Sequence, residues 1–381
     1  MLKALVVSLS FSSALARPKW HELSEKYSFE QYVLDFGKSY DAEEFNMRRA
    51  VFGEKLVSIL AHNAKPEVTW RQGVNQLTDM EEWEITKFKK GLDKGSAFRS
   101  RAAKEAAAEE TASEEVMKRA DMKERSSEKK ALPASMDWRN YANGGIVSPV
   151  KDQAQCGSCW SFAATEAIES HIAMQTGTLL TLSPQEFVDC AKNPDLCGGT
   201  GGCEGATAEI AFSTARDRGA YLEADLPYQG VDRSCPEVTP KPVANITGWV
   251  MLPRNEYEPL LEAIATVGPI AVSVDATWGN YEEGVFPSAE GGTDIDHAVL
   301  LVGYGTDEVT GMDYWTIRNS WGPEWGEDGY IRLERNAQPD CAIDYYNSDG
   351  VGCAGDPQEI TVCGTSAILY DTSYPTGGYL L

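Results

Sequence analysis

Histidine is scarce in this chain of 381 residues: there are four, His21, His62, His171 and His297. Any chemistry that needs an imidazole must draw on one of them, and a metal site built from several histidines has almost nothing to work with. No metal and no cofactor is expected. Beyond the first sixteen residues there is no run long and apolar enough to span a membrane. Basic residues are sparse in the second part of the chain. Residues 132–381 hold 11 Lys and Arg against 36 Asp and Glu, a net charge of −25, whereas residues 1–131 hold 23 and 22, a net of +1. A surface that acidic repels nucleic acid near neutral pH, and it repels itself; protonating carboxylates in an acidic compartment would relieve that repulsion. Internal repeats are absent as well.

Cysteine is not lacking. There are nine, an odd number, so disulfide pairing leaves at least one thiol outside. The start of the chain makes pairing plausible: Met1-Leu2-Lys3, the apolar stretch Ala4 to Leu9 and the small-residue site Ala14-Leu15-Ala16 read as a signal peptide over 1–16. The secretory pathway is oxidising and favours disulfides. The expected destination is a lysosome, a vacuole or the extracellular space. Asn245-Ile246-Thr247 is an acceptor sequence for N-glycosylation.

The most informative stretch is Gln153-Ala154-Gln155-Cys156-Gly157-Ser158-Cys159-Trp160. Trp160, Ala163, Ala164, Ala167, Ile168 and Ile172 follow at roughly helical spacing, which predicts an amphipathic helix with Cys159 in its first turn. Unpaired N–H groups and the positive end of the helix dipole favour thiolate there. Cys156-x-x-Cys159 also fits a redox pair, but Cys-Gly-Ser-Cys-Trp is far more specific. A nucleophilic thiol needs a base. His171 lies 12 residues along the same helix, about 18 Å away at 1.5 Å per residue, and is expected at the surface or core edge. That leaves His297, which opens the apolar run Ala298-Val299-Leu300-Leu301-Val302, a buried strand by its pattern. Asn319 closes the alternating segment 314–318 and offers an acceptor that would fix the imidazole tautomer. Trp321 would shield that bond from water.

These motifs resemble those of papain-like cysteine proteases of the cathepsin L type, over roughly residues 25–92 and 132–381. Carried over, Cys159 would be the nucleophile, His297 the base and acid, and Asn319 its orienter. Gln153 and the Cys159 N–H would form the oxyanion hole. Gly205, Asp296, Trp321 and Asp371 would contact substrate, with Asp371 or Thr372 at the floor of the pocket for the second side chain before the scissile bond, depending on register. Disulfides Cys156–Cys203 and Cys190–Cys235 are implied; Cys197, Cys341, Cys353 and Cys363 admit three pairings, with a zinc site as a poor second. Glu44, Arg48, Phe52, Lys55, Ile59 and Asn63 form one helix stripe. With Gly73-Val74-Asn75-Gln76-Leu77-Thr78-Asp79, they are similar to the two propeptide motifs of this family.

The expected fold is α+β, papain-like. A helical lobe carrying the cysteine faces a β-rich lobe carrying the histidine, the site lies in the cleft, and a small helical prodomain precedes them. The expected divisions are a signal peptide at 1–16, an inhibitory propeptide at 17–92, a charged linker at 93–131 removed on activation and a catalytic domain at 132–381. Ser183, Pro184 and Glu186 read as a capped helix start. The resemblance implies a monomeric endopeptidase made as a self-inhibited zymogen, with peptides and proteins as substrates and its own propeptide as inhibitor. Paired histidines of an exopeptidase occluding loop are missing. A thiol–disulfide oxidoreductase, and an inhibitory binding module on a degenerate catalytic domain, are the competing readings.

Overall fold

The computed structural model describes residues 17–90, 131–143, 145–237 and 240–381. The signal-peptide reading of 1–16 and, except for Ala131, the linker reading of 93–131 fall outside the described residues.

The N-terminal part is helical. Helix α1 (Phe29–Asp35) starts at Ser28, whose hydroxyl accepts from Gln31 N–H, and α2 (Ala42–Asn63) starts at Asp41, whose carboxylate accepts from Glu43 and Glu44 N–H. These side chains satisfy donors that the first turn leaves orphaned. Leu23, Phe29, Tyr32, Phe52, Leu56, Ile59 and Val74 bury one another in a small separate core. Strand β1 (Trp70–Gln72) and helix α3 (Glu82–Lys90) follow. The polar members of the α2 stripe clamp this following segment. Arg48 bonds Glu44 at 3.2 Å and Glu84 at 2.6 Å. Lys55 donates to the Leu77 and Met80 carbonyls at 3.2 and 2.7 Å. Asn63 exchanges two hydrogen bonds with the Gln72 backbone at 2.9 and 2.7 Å.

In the remainder, strands β2 (Met136–Asp137), β3 (Ala244–Asn245), β4 (Gly248–Met251), β5 (Ile270–Val274), β6 (Tyr281–Phe286), β7 (His297–Thr306), β8 (Asp313–Arg318) and β9 (Tyr330–Glu334) are joined by β10 (Cys341–Asp344), β11 (Ile360–Cys363), β12 (Thr372–Thr376) and β13 (Tyr379–Leu380). The helices are α4 (Cys159–Thr176), α5 (Pro184–Cys190), α6 (Ala208–Arg218) and α7 (Tyr257–Thr266). Among the described residues the main sheet runs β1-β6-β9-β8-β7-β5-β12-β4, with β2 paired to β7. All these pairings are antiparallel except β6 with β9. The edge strand β1 belongs to the N-terminal part: Trp70 pairs with Gly284 and Arg71 with Glu283, so the helical unit completes a sheet edge that would otherwise lie open.

Strand β7 explains how two lobes meet. His297 through Gly305 are all buried. Val299, Leu301 and Tyr304 enter an aromatic-rich core with Trp278, Trp315, Trp321 and Trp325. Ala298, Leu300 and Val302 enter the other core with Trp160, Ile168, Phe187 and Phe212. The period of two sends alternate side chains to opposite faces, and the irregularity between Leu301 and Gly303 turns Tyr304 back to the first core, so one apolar run serves both.

Two local expectations need correction. Helix α4 is not amphipathic: every residue from Cys159 to Ala173 is buried. It runs between the helical lobe and the sheet, and its carboxylates are paired internally, Glu166 with Arg318 at 3.0 Å and Glu169 with Lys151 at 2.5 Å. His171 is accordingly buried, with Nε2 2.9 Å from the Pro269 carbonyl and its ring stacked on Tyr374. Helix α5 starts at Ser183 and Pro184, with Ser183 Oγ accepting from Glu186 N–H at 3.3 Å. The reciprocal half of the capping box is not made, because the Glu186 carboxylate accepts from Tyr221 N–H at 3.0 Å.

Candidate active site

Four disulfides join Cys156 to Cys203, Cys190 to Cys235, Cys197 to Cys353 and Cys341 to Cys363. Cys159 is left outside them. With Cys156 bound to Cys203, no Cys156–Cys159 redox pair exists, which removes the oxidoreductase reading. The four cysteines weighed as a zinc site are two disulfides.

Cys159 is the first residue of α4, and its N-cap Ser158 makes no side-chain cap. The Ser158 hydroxyl instead shares a 2.6 Å hydrogen bond with Tyr228. His297 opens β7 in the facing lobe and is 2% exposed. Its Nε2 lies 2.8 Å from Asn319 Oδ1. Asn319 follows the last residue of β8 and is fixed by its own N–H donating to the Gly329 carbonyl at 3.0 Å. The Trp321 ring covers the imidazole with centroids 5.0 Å apart, and Trp278 approaches at 6.2 Å. A backbone hydrogen bond from Ala298 reaches the Cys159 thiol, so the sulfur lies against the residue next to His297.

Gln153 is fully buried. Its side-chain nitrogen donates to the Cys156 carbonyl at 3.0 Å, and its side-chain oxygen accepts from Ser320 Oγ at 2.6 Å. Its backbone N–H donates to the Ser320 carbonyl at 2.9 Å. Gln153 is thus tied to the Asn319-Ser320-Trp321 turn of the opposite lobe. Sequence reading missed Ser320 and Tyr228; Ser320 sits inside a motif already singled out, whereas nothing in the sequence marks Tyr228.

Burial pushes the Cys159 thiol up to about 12, and the nearby Asp296 charge adds to this; the Ala298 and Trp160 backbone bonds pull the other way. In this state the helix-start thiolate expected from sequence is therefore not favoured. Burial of Cys159, a residue 6% exposed, outweighs the backbone hydrogen bonds that favour its thiolate.

The N-terminal unit is anchored beside this site. Asn75 Nδ2 donates to the Gly279 carbonyl at 2.7 Å, Gln76 Nε2 to the Trp321 carbonyl at 2.5 Å, and Gly73 N–H to the Asn280 carbonyl at 2.9 Å. Trp70 and Leu77 pack into the same aromatic core as Trp278 and Trp321.

Of the other expected residues, Gly205 is buried and its carbonyl accepts from Gly201 N–H at 2.7 Å. Asp296 accepts from Ala276 N–H at 2.9 Å. Asp371 is buried, and its carboxyl accepts from Ser273 Oγ at 2.6 Å. Burial and the charge of Glu209 on α6 raise it to about 7. Asn245 is half-buried in the β3–β13 ladder, and its amide nitrogen, the atom that would carry a glycan, donates to the Arg216 carbonyl at 3.3 Å. No helix among the described residues is long and apolar enough to cross a membrane, and none of their His, Cys, Asp and Glu side chains form a metal-holding group.

Comparison with known proteins follows the same division. A family model described as papain family cysteine protease matches residues 132–351, and one described as cathepsin propeptide inhibitor domain matches residues 29–85. Cathepsin L of Sarcophaga peregrina is 34% identical over 366 residues, covering 90% of this chain and 96% of that protein. Digestive cysteine proteinase 3 of Homarus americanus is 36% identical over 325 residues, covering 83% and 92%. Among solved structures, digestive procathepsin L 3 of Tenebrio molitor larval midgut superimposes with a TM-score of 0.68 at 32% identity, covering 91% of this chain and 97% of that one. The chain belongs to the papain family of cysteine proteases and carries its cathepsin-type propeptide inhibitor domain ahead of the catalytic part.

Proposed function

We propose that Cys159 is the nucleophile of a peptide-bond hydrolysis that passes through a thioester. The observation that carries this reading is the pairing of His297 Nε2 with Asn319 Oδ1 at 2.8 Å while the next residue, Ala298, bonds the thiol. With Nε2 turned to Asn319, the other ring nitrogen serves the sulfur. His297 takes the thiol proton, sulfur adds to the scissile carbonyl, and the proton passes to the departing amine as the C–N bond breaks. Water then adds to the thioester, giving its proton to His297, and the thiol leaves. The Gln153 amide and Cys159 N–H receive the oxyanion in both halves. The enzyme enters the secretory pathway, is destined for a lysosome, a vacuole or the extracellular space, and acts as a monomeric endopeptidase. Alkylating Cys159 with one equivalent of iodoacetamide and losing all peptidase activity tests the assignment.

The propeptide over 17–92 is proposed to hold this site shut until it and the linker at 93–131 are cut away, leaving a chain that starts near Leu132 after removal of a signal peptide at 1–16. Its anchoring on the Trp321 and Gly279 carbonyls supports this reading.

Asp371 rather than Thr372 is proposed as the selector of the second side chain before the scissile bond, and the strand geometry supports this reading. Thr372 pairs with Val272, whose side chain enters the aromatic core. Its neighbour Asp371 points to the other face, that of Ser273, which stands opposite Ala298. Glu209 approaches from the cysteine lobe. An acid raised to about 7 is neutral below that pH and charged above it. The expected outcome is that kcat/KM for Arg relative to Leu at this position rises as pH increases through about 7, and that Asp371→Ala abolishes the rise. Matched Arg and Leu substrates measured from pH 5 to 8 check this; a ratio indifferent to both pH and the substitution removes Asp371 as selector.

A further inference from the structure

The segment between β9 and β12 forms a strap from the histidine lobe to the cysteine lobe. Its base is the β10–β11 hairpin, closed by Cys341–Cys363. Its tip is tied across by Cys197–Cys353 to the loop preceding Cys203. Two further backbone bonds fasten the tip: Gly198 N–H donates to the Gly352 carbonyl at 2.9 Å and Ala354 N–H to the Asp195 carbonyl at 2.7 Å.

The contacts of two glycines show where the strap lies. A Cβ on Gly350 would meet the Ile295 carbonyl oxygen at 2.0 Å, two residues before His297. A Cβ on Gly198, where φ is +66°, would meet the Gly350 carbonyl at 2.5 Å and the Ala206 carbonyl carbon at 3.0 Å. Backbone therefore touches backbone from Ala206 through Gly198 and Gly350 to Ile295, which is possible only without side chains. Ala206 follows Gly205 and Ile295 precedes Asp296, two residues expected to contact substrate, so the strap joins the two lips of the cleft there. Below them Ile295 packs with Val362, Ala367 and Tyr370, and Asp344 accepts from Ile295 N–H at 3.3 Å, which gives the strap a rigid footing.

We propose that this strap ends the cleft on the amino-terminal side and makes the enzyme prefer substrates with two residues, rather than four, ahead of the scissile bond. The inference rests on the expectation that Gly205 and Asp296 contact substrate, here on its amino-terminal half, and it narrows the endopeptidase reading. A continuous wall two backbones thick leaves no path for an extended chain, whereas residues beyond the scissile bond lie on the other side of Cys159 and His297. The disulfide Cys197–Cys353 holds the wall in place against the motion of two lobes.

The test uses mature enzyme and internally quenched peptides that share the same residues around the cleaved bond but carry two or four residues before it. Wild-type enzyme is expected to give kcat/KM about tenfold or more higher for the shorter acyl side. In the Cys197→Ser/Cys353→Ser variant, that ratio is expected to fall to about threefold or less, through recovery of the longer peptide. Equal rates for both peptides with wild-type enzyme overturn the proposal, and this arm needs no variant to fold. A preference unchanged in a folded double variant also overturns the role of the strap. If neither peptide is cleaved by enzyme whose Cys159 alkylates stoichiometrically, the reading of the site fails, and the proposal with it.

Discussion

Replacing Cys159 by Ser is expected to abolish peptidase activity while leaving the fold and all four disulfides intact. The hydroxyl is a far weaker nucleophile, and nothing else in the described site offers a thiol. Asn319→Ala is expected to cost less, because His297 remains wedged between Trp321 and Trp278 and loses only the acceptor that fixes its tautomer. Gln153→Ala removes one oxyanion donor and is expected to lower kcat by roughly 10²–10³-fold with little change in KM. That effect includes a structural share, since the Gln153 side chain also bonds Ser320 across the lobes. Gln153→Glu separates the two: it keeps the acceptor for Ser320 and loses the amide donor. Full activity in Cys159→Ser, measured on mature protein with a fluorogenic peptide, contradicts the mechanism.

The second large effect concerns the propeptide. Arg48→Ala is expected to give a precursor that becomes active at neutral pH without acidification. Arg48 ties Glu44 on its own helix to Glu84 on the segment that follows the anchor. Removing one member of a largely buried ion pair costs roughly 3–5 kcal/mol when burial is complete, so about 2–3 kcal/mol is expected for this slightly exposed group. A domain with so small a core cannot absorb that loss easily.

The same unit explains release by acid. His62 is buried against Trp70, with Nε2 3.3 Å from the Trp70 carbonyl. Burial holds its basicity below the ordinary value of 6.5; Lys65 and Arg71 act in the same sense, and Glu290 and the Trp70 carbonyl oppose them. The folded unit therefore disfavours the imidazolium. Its stability from this source is complete above the unfolded value and is lost as pH falls from about 6.5 toward the lower folded one. Glu282 runs the other way: burial raises it, so its neutral form fits best with the propeptide seated, and it tightens the seat in acid. His62→Leu is expected to shift the activation profile to lower pH, and neutral-pH activity of Arg48→Ala reports the mechanical part of the grip. A precursor of Arg48→Ala as silent as wild type at pH 7 contradicts this account.

Much of this was legible in the chain. The apolar run after His297 announced β7, and the Cys159 motif, the single downstream histidine and Asn319 located the site. The hydrophobic pattern alone did not show that β7 serves two cores, nor that α4 is buried all round, because Glu166 and Glu169 read as a solvated face until Arg318 and Lys151 meet them. The pairing of Cys197 with Cys353 spans 156 residues and depends on where two loops end up in space. The pocket floor could be narrowed to two registers, Asp371 or Thr372, and the alternation along β12 with its pairing to β5 supports the proposal of Asp371.

The alkylation rate of Cys159 as a function of pH, compared between intact precursor and mature enzyme, tests the central claim most directly. In the precursor, burial pushes the Cys159 thiol up to about 12. Iodoacetamide is therefore expected to react negligibly up to about pH 8. Once the propeptide is gone and water reaches the sulfur beside His297, the reaction is expected to accelerate by orders of magnitude, with its inflection well below the ordinary thiol value of about 8.5. Identical rates and inflections in the two forms would contradict the claim that the propeptide silences the enzyme by holding Cys159 as a shielded thiol.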